Sequence, residues 1–346
     1  MSLNGFDRIL DEKIGYGNYQ RICYLLIGLI ALSDEAEIIS LSVILPTLKK
    51  EWNLDESQEE LIGSVLFFGI FLGSLGIGLV SDKMGRRRAL LISSGLQFIF
   101  GIASAFVENF KAFLLVRTCV GLMIGCTIPI APTYITEISP TSHRGKGQVY
   151  IQAFFVIGMV YAMVLSKIFI GDLDSGNWRA LLIFGALPSL IVLIGTWLYL
   201  MESPRFLIAT GNINKGISVL NKMGAKNKGT IYYTLSIEDN DELIKYQKAL
   251  FENKHKENWF TLFNAENRRA TLCLMVSWFG LSHNFFGMVF ILPLIFSALE
   301  EQGITPSGQG INQLFLTMLG EIPAIIIAYF VIDRQRFGRK NSTLFS

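Results

Sequence analysis

Charged residues are scarce in this sequence of 346 residues, since Asp, Glu, Lys and Arg together make up only 17% of it. Soluble domains carry about 25% charged residues. The shortage therefore argues against an ordinary soluble protein, and the mean hydropathy of +0.45 agrees with that conclusion. Long apolar stretches and 26 phenylalanines accompany the shortage. Together these features indicate an integral membrane protein.

Several functional signatures are also missing. The net charge of +2 gives no indication of nucleic-acid binding. No G-x-x-x-x-G-K-S/T loop occurs, so we do not expect ATP hydrolysis to supply energy. Residues 1–20 are polar and the first apolar run is too long for a signal peptide, so no cleavable signal is predicted. The cysteines lie singly in apolar stretches, which predicts core residues rather than disulfides or metal ligands. They are Cys23, Cys119, Cys126 and Cys273. We expect no cofactor and no metal site.

Apolar windows of about 20 residues, the length that crosses a bilayer, occur repeatedly along the chain. They predict eight membrane helices, at residues 22–48, 61–80, 89–107, 113–138, 149–170, 180–201, 270–299 and 314–332. Two G-x-x-x-G pairs lie in the second and fourth of them, Gly69 with Gly73 and Gly121 with Gly125. Such pairs let helix backbones approach closely. The pattern predicts an all-helical, compact membrane bundle.

The distribution of Lys and Arg in the short loops predicts the orientation. With the N-terminus inside, the inner loops 82–88, 142–147 and 333–340 carry ten basic residues, and the outer loops carry three. We therefore expect a multi-pass protein whose N-terminus, residues 1–21, is cytoplasmic. The one long connection, 202–269, is polar and is expected to be a cytoplasmic loop with short helices. It would separate a first bundle at 22–201 from the remainder at 270–346.

Two loops six helices apart resemble each other. "GLVSDKMGRRRAL" follows the second predicted helix and "FVIDRQRFGRKNS" follows the eighth, and both contain an Asp, a basic residue and then Gly-Arg. An offset of six helices predicts a parallel six-helix repeat, which is a transporter architecture. The first repeat is expected to be complete, whereas the second has only two of its helices. Either the sequence is a fragment or it is a reduced form of the fold.

The first of these loops resembles the loop signature of the major facilitator superfamily at each of its fixed positions. "GLMIGCTIPIAPTYITEISPTSHRGKG" and "MESPRFL" are similar to two further signatures of the sugar and organic-ion porters in that superfamily. "SDEAEIISLSVILPTL" and "GEIPAIIIAYFVIDR" resemble the synaptic vesicle protein-like branch. The resemblance implies a major facilitator fold with a complete first bundle and the first two helices of the second.

The resemblance also implies a function. It indicates a secondary transporter, not an enzyme, that moves a small polar or charged solute by alternating access, with proton coupling as an open alternative. Its partners would be the solute, protons and the lipid bilayer; the oligomeric state stays open, as does the choice between plasma and vesicle membrane. The rival hypothesis is a non-transporting scaffold, sensor or binding subunit on the same fold. Four further helices beyond Ser346 would favour the transporter.

Three carboxylates interrupt the first predicted membrane helix, although each is costly in hydrocarbon. Asp34 and Glu37 are three residues apart and share a helix face, whereas Glu35 points elsewhere. We expect Asp34 and Glu37 to face the central cavity. In proton-coupled relatives an Asp of the first helix pairs with an Arg of the fourth, which implies a pair of Asp34 with Arg117. Proton coupling, solute or cation binding, and a structural role remain three alternatives.

Two further sets of charged residues complete the candidate sites. Glu321, beside Pro323 in the eighth predicted helix, is a candidate for the solute path or for simple packing. Residues at the cytoplasmic helix ends correspond to a gate network of the superfamily, and the resemblance implies that they stabilise the outward-facing state. The expected network consists of Asp82, Gly85, Arg86, Arg87, Glu137, Arg144, Glu202, Arg205, Asp333 and Arg339.

Overall fold

The computed structural model describes residues 5–171, 173, 176–254, 263–265, 267–306 and 308–331, and within these ranges the regular structure is entirely helical. The α-helices are α1 (Gly5–Arg8), α2 (Asn18–Trp52), α3 (Glu56–Met84), α4 (Arg86–Ala105), α5 (Phe110–Ile138), α6 (Arg144–Phe169), α7 (Trp178–Tyr199), α8 (Pro204–Ala209), α9 (Ile213–Lys228), α10 (Ile237–Lys254), α11 (Arg268–Glu301), α12 (Gln309–Leu319) and α13 (Glu321–Val331). A π-helical turn, Ile9–Ile14, follows α1.

Polar residues in the short loops begin several of the long helices. Asp55 accepts a hydrogen bond from the Gln58 amide at 2.7 Å at the start of α3. Asn177 accepts one from the Ala180 amide at 3.0 Å at the start of α7. Such caps satisfy amides that have no partner within the helix. These side chains therefore stabilise the first turns of α3 and α7.

α2 is the central helix of the bundle. It packs against α5, α6, α7 and α11, and from residue 26 to residue 48 almost all of its side chains are buried. The other long helices expose large apolar side chains on their outer faces, such as Phe68 and Phe71 of α3. A helix enclosed by protein can carry polar groups that a lipid-facing helix cannot, because neighbouring helices supply their partners.

The two G-x-x-x-G pairs face each other across the contact between α3 and α5. A Cβ built on Gly69 or Gly73 would overlap a backbone carbonyl of α5, and one built on Gly121 or Gly125 would overlap a carbonyl of α3. The two backbones therefore touch, as the small-residue spacing predicts. This contact holds α3 and α5 together at a distance that no larger side chain allows.

Seven helical segments within the described ranges are long and apolar enough to cross a membrane. Eight were predicted, and α2 accounts for the difference. It is 35 residues long, but Asp34, Glu35 and Glu37 lie in its middle. By length and composition alone α2 is therefore not a candidate span, although the structure places it in the centre of the bundle.

The last predicted span is broken rather than continuous. α12 ends at Leu319, Gly320 separates it from α13, and Pro323 lies in the first turn of α13. A proline has no amide hydrogen to donate to the carbonyl four residues before it, which here belongs to Leu319. The break therefore falls where the sequence removes a helical hydrogen bond, and it puts Glu321 at the start of a helix.

Residues 5–17, here called the N-terminal arm, fold back against α9 and α10. Phe6, Ile9, Leu10 and Ile14 are fully buried in this contact. The Asn227 side-chain amide of α9 donates to the backbone carbonyls of the arm. Further contacts are made by side chains on both partners: Arg8 pairs with Glu242, Lys13 pairs with Asp239, and Phe6 stacks on Tyr246. The arm thus fastens the helices of the long connection to the first bundle.

Phe6→Ala is expected to undock this arm. Truncation of a fully buried phenylalanine lowers the free energy of unfolding by about 3 kcal/mol or more. Here the loss falls on a local contact, so α10 should become sensitive to protease before the membrane helices unfold. Limited proteolysis of the purified protein measures this. Ile231→Ala, at a side chain that is 88% exposed, is the control and should change nothing. Equal cleavage of both variants would show that the arm does not hold α10.

Candidate functional site

Asp34 lies inside the first bundle, and each of its carboxylate oxygens accepts a hydrogen bond. Its Oδ1 accepts a hydrogen bond from Gln97 Nε2 of α4 at 3.0 Å, and its Oδ2 accepts one from Thr127 Oγ1 of α5 at 2.6 Å. Both donors are buried. This carboxylate therefore joins three helices, α2, α4 and α5, through neutral donors.

Glu37, one turn further along α2, forms a buried ion pair with Arg117 of α5. Arg117 Nη1 donates to Glu37 Oε2 at 2.9 Å, and the two side chains are 0% and 1% exposed. Arg117 Nη2 also donates to Ser104 Oγ of α4 at 2.9 Å, and its guanidinium lies over the Phe113 ring. Charge-assisted bonds of this kind are among the strongest in a protein interior.

The expected pair of Asp34 with Arg117 is therefore wrong: the partner of Arg117 is Glu37. The expectation that Asp34 and Glu37 face a central cavity is also not met, since both point towards α4 and α5 within the first bundle. They do share one side of α2, in keeping with their spacing. The pairing follows from height along the bundle, because Glu37 lies about 4.5 Å further along α2 than Asp34.

Two residues of α4 that were not among the sequence candidates also belong to this site. A Cβ on Gly101 of α4 would come within 2.5 Å of Glu37 Oε1, so only glycine leaves room for this carboxylate. Ser104 lies one turn further along the same helix, and its hydroxyl oxygen accepts a hydrogen bond from Arg117. The G-x-x-S spacing of Gly101 and Ser104 is the only sequence signal for these two contacts. Because this spacing is common in membrane helices, it does not by itself predict a site.

Glu35 has a different environment from its two neighbours. Its side chain is 0% exposed, and neither carboxylate oxygen has a hydrogen-bond partner. Glu321, the candidate residue at the start of α13, carries the same charge as this carboxylate. Glu321 itself is half-buried. Among the described residues no hydrogen bond or ion pair joins Glu321 to Asp34, Glu37 or Arg117.

A second charged cluster lies at one end of the bundle, where α3 meets α4 and α5 meets α6; we call this the basic end. Arg86 is its centre. Arg86 Nη2 lies 3.2 Å from Glu137 Oε1 of α5, and its Nη1 lies 3.1 Å from Asp82 Oδ1 of α3. The Phe206 ring of α8 covers the guanidinium. This one side chain therefore connects α3, α4, α5 and α8.

Glu202, between α7 and α8, caps the start of α4. Its Oε1 accepts from the backbone amides of Arg86 at 2.8 Å and Arg87 at 3.1 Å. A carboxylate at a helix N-terminus is stabilised by the amides and by the helix dipole. Gly85 permits this approach, because its φ is +93° and a Cβ there would overlap the Glu202 carboxylate. Arg87 Nη2 donates to the Trp197 carbonyl of α7 at 2.8 Å.

The remaining residues of the expected network have separate partners. Arg144 Nη2 pairs with Asp7 of the N-terminal arm at 2.5 Å. Arg205 lies over the Phe6 ring and also interacts electrostatically with Glu137. Asp333 and Arg339 lie outside the described residues. The structure therefore brings Asp82, Gly85, Arg86, Arg87, Glu137, Glu202 and Arg205 together, and it links Arg144 to the arm.

Comparison with known proteins agrees with this architecture. Residues 31–346 match the family described as sugar (and other) transporter. A solved structure of the major facilitator superfamily proton:xylose symporter XylE superposes with a TM-score of 0.73 at 19% identity, covering 92% of this chain and 70% of that one. XylE from E. coli in a partially occluded inward-open conformation gives a TM-score of 0.69 at 20% identity, covering 93% and 72%. The fold is therefore the major facilitator fold.

Two curated relatives are similar along nearly the whole chain. The organic cation/carnitine transporter 7 of Arabidopsis thaliana is 28% identical over 367 residues, which cover 96% of this chain and 72% of that protein. The synaptic vesicle 2-related protein of Pongo abelii is 30% identical over 347 residues, which cover 96% of this chain and 60% of that protein. Because the family match spans most of the sequence and the fold agrees with it, the chain belongs to the sugar (and other) transporter family.

Proposed function

We propose that this protein is a transporter that moves a small polar or charged solute by alternating access. The observation that carries the proposal is the buried charged cluster formed by Asp34 and Glu37 of α2 with Arg117 of α5, all enclosed in the bundle. Burying these groups is costly. A helix that served only to pack would not need them, whereas a solute or proton path does.

The chemistry of the cluster and the names of the relatives support the class of solute. One similar protein is named for organic cations and carnitine, and a similar fold belongs to a proton:xylose symporter. Carboxylates can bind cations, hydroxyl-rich solutes or protons. We propose that Asp34 carries the coupling proton, because it accepts hydrogen bonds from the neutral side chains of Gln97 and Thr127, whereas Arg117 pairs with Glu37. The Glu37–Arg117 pair then keeps the neighbouring helices in position.

The basic end is proposed to face the cytoplasm and to act as the gate. The Lys and Arg bias of its loops supports this orientation. In the gate, Arg86 holds α3, α4 and α5 together while the end is closed, and the contacts separate when it opens. Only the contacts that differ between the closed and the open state can shift the equilibrium between them.

Glu137→Gln is expected to open the basic end. It removes the negative charge of the buried partner of Arg86, so labelling of a cysteine placed at the buried Ser81 should become faster by about tenfold, equivalent to about 1.4 kcal/mol. The measurement uses a membrane-impermeant maleimide on protein whose native cysteines have been replaced. Asp82→Asn is the matched control. The Asp82 side chain is 70% exposed, so its pair with Arg86 contributes little. Equal rates in the two variants would contradict the proposed gate.

Transport itself is tested in proteoliposomes. The purified chain is reconstituted and screened for uptake and exchange of sugars, organic cations and organic anions, with and without an inward proton gradient. We expect exchange of at least one solute class, accumulation driven by the gradient, and loss of accumulation but not of exchange in Asp34→Asn. Accumulation that persists in Asp34→Asn would remove the coupling role. Solute binding without any exchange would favour the rival function, a binding or sensor subunit on the same fold.

A further inference from the structure

Two neighbouring apolar side chains protrude from the turn between α9 and α10, outside the membrane helices. Ile231 and Tyr232 are each 88% exposed, more than any other large apolar side chain that the structure describes. Apolar side chains that are exposed singly are common at protein surfaces and need no explanation. An aliphatic and an aromatic side chain side by side, both almost wholly exposed, indicate instead that something covers them.

The backbone of this turn holds the two side chains away from the rest of the protein. α9 is followed by Gly229, whose φ of +66° turns the chain sharply. The chain then runs back along α9, since the Leu235 amide donates to Asn221 Oδ1 of that helix at 2.9 Å. Residues 229–232, which we call the tip, therefore project beyond the end of α9.

The tip lies close to the place where α2 begins its apolar run. Asn227, near the end of α9, accepts a hydrogen bond from the Tyr19 amide of α2 at 3.1 Å. Ile22 is the first exposed apolar residue of α2, and Leu25 follows it one turn later. Ile22 is about 4.5 Å along the helix from Tyr19. The contact with Tyr19 therefore brings the tip to the level at which α2 enters the membrane.

The chain around the tip is basic. Between Glu202 and Glu238 it contains no acidic residue, and its basic residues are Arg205, Lys215, Lys222, Lys226 and Lys228. The first three lysines are seven and four residues apart, so they share one face of α9, and all three are exposed. Lys226 Nζ lies 5.5 Å from the centre of the Tyr19 ring, so this face is turned towards the start of α2. A negatively charged surface at that level complements the lysines.

We propose that the tip and the lysine face of α9 anchor the long connection to a membrane surface that contains anionic lipids. Ile231 enters the boundary between headgroups and acyl chains, and Tyr232 lies at headgroup level, where aromatic rings with a polar end are enriched. The lysines are attracted to the headgroup phosphates. The position beside the start of α2 favours lipid over a soluble protein partner. The anchor goes beyond the proposed transport function, because it involves no solute.

The test attaches an environment-sensitive fluorophore to Thr230→Cys, in protein whose native cysteines have been replaced and which is held in lipid nanodiscs. A quencher on the lipid acyl chains reports insertion of the tip, and aqueous iodide reports its exposure. With about 30% phosphatidylserine in the nanodisc, we expect quenching by the lipid and protection from iodide. Ala249→Cys, at an exposed position of α10, is the matched control and should be quenched by iodide alone.

Two double variants separate the apolar part of the anchor from the charged part. Ile231→Ser with Tyr232→Ser should abolish quenching by the lipid. Lys215→Gln with Lys222→Gln should lower the ratio of inserted to exposed tip by about tenfold or more, since each basic side chain near an anionic surface contributes about fivefold. In phosphatidylcholine nanodiscs the lysine variant should change little. Thermal unfolding in detergent should be the same for both variants as for the original protein, because all four side chains are exposed.

Three results would overturn the proposal. The first is a tip that iodide quenches fully in both kinds of nanodisc. The second is equal insertion with and without phosphatidylserine, which would remove the role of the anionic lipid. The third is a tip that is protected from iodide but not quenched by the lipid, which would assign it to a protein surface.

Discussion

Arg117→Met is expected to lower the free energy of unfolding by about 3–5 kcal/mol, the cost of leaving one member of a buried ion pair without its partner. The variant leaves the Glu37 carboxylate fully buried, with its only charged donor removed. Ser104 of α4 also loses its donor from Arg117. Unfolding of the purified protein in detergent, followed by heat or denaturant, measures the change.

Two controls separate this effect from a general sensitivity to arginine loss. Arg179→Met removes a pair with Glu51 in which both side chains are more than a third exposed, and it should cost less than about 1 kcal/mol. The double variant Arg117→Met, Glu37→Leu replaces both charges by apolar groups and should recover most of the loss. If Arg117→Met is tolerated as well as Arg179→Met, the buried pair does not stabilise the bundle as the structure indicates.

Gly73→Leu is the second substitution for which we expect a large effect. A Cβ at Gly73 would already overlap the Leu122 carbonyl of α5, so a leucine must push α3 and α5 apart along the contact that the two G-x-x-x-G pairs form. Backbone cannot move aside as a flexible side chain can. Overpacking costs of about 1–3 kcal/mol or more are expected, together with loss of the folded monomer on size-exclusion chromatography.

Gly76→Leu is the matched control for this substitution. Gly76 lies three residues further along the same helix, and a Cβ there meets nothing within 4 Å. Leucine also favours a helix over glycine by about 0.5–1 kcal/mol. Gly76→Leu should therefore be neutral or stabilising in the same assay. If both variants lose similar stability, the loss comes from introducing leucine into α3 and not from the contact of α3 with α5.

Much of the fold could be predicted from the sequence, because the membrane imposes a simple pattern. Spans of about 20 apolar residues must form helices that satisfy their own backbone hydrogen bonds. The predicted spans from 61–80 to 270–299 each lie within one observed helix to within about two residues, a scatter normal for helix ends. The G-x-x-x-G spacing likewise indicated the close contact of α3 with α5, since only glycine allows it.

The pairing of charges inside the bundle was decided by the tertiary structure alone. Sequence spacing shows that Asp34 and Glu37 share a helix face, but not how α2 is rotated or how high it lies relative to α5. The space at Gly101 and the contact with Arg117 determine this rotation and this height. Glu37 therefore forms the ion pair with Arg117, while Asp34 accepts a hydrogen bond from Gln97. An error of one helical turn, about 5.4 Å, exchanges one carboxylate for the other.

At the basic end and at Glu35, too, the sequence determined some features and the tertiary structure decided the others. The sequence by itself determined that charged residues gather at the basic end, because the loop motif around Arg86 is local. Only the tertiary structure showed that Glu202, more than a hundred residues away, caps α4, and that Glu35 meets no hydrogen-bond donor. These are long-range contacts between helices. The packing of side chains between helices decides them, and a periodic pattern along one helix carries no information about its partner's rotation or height.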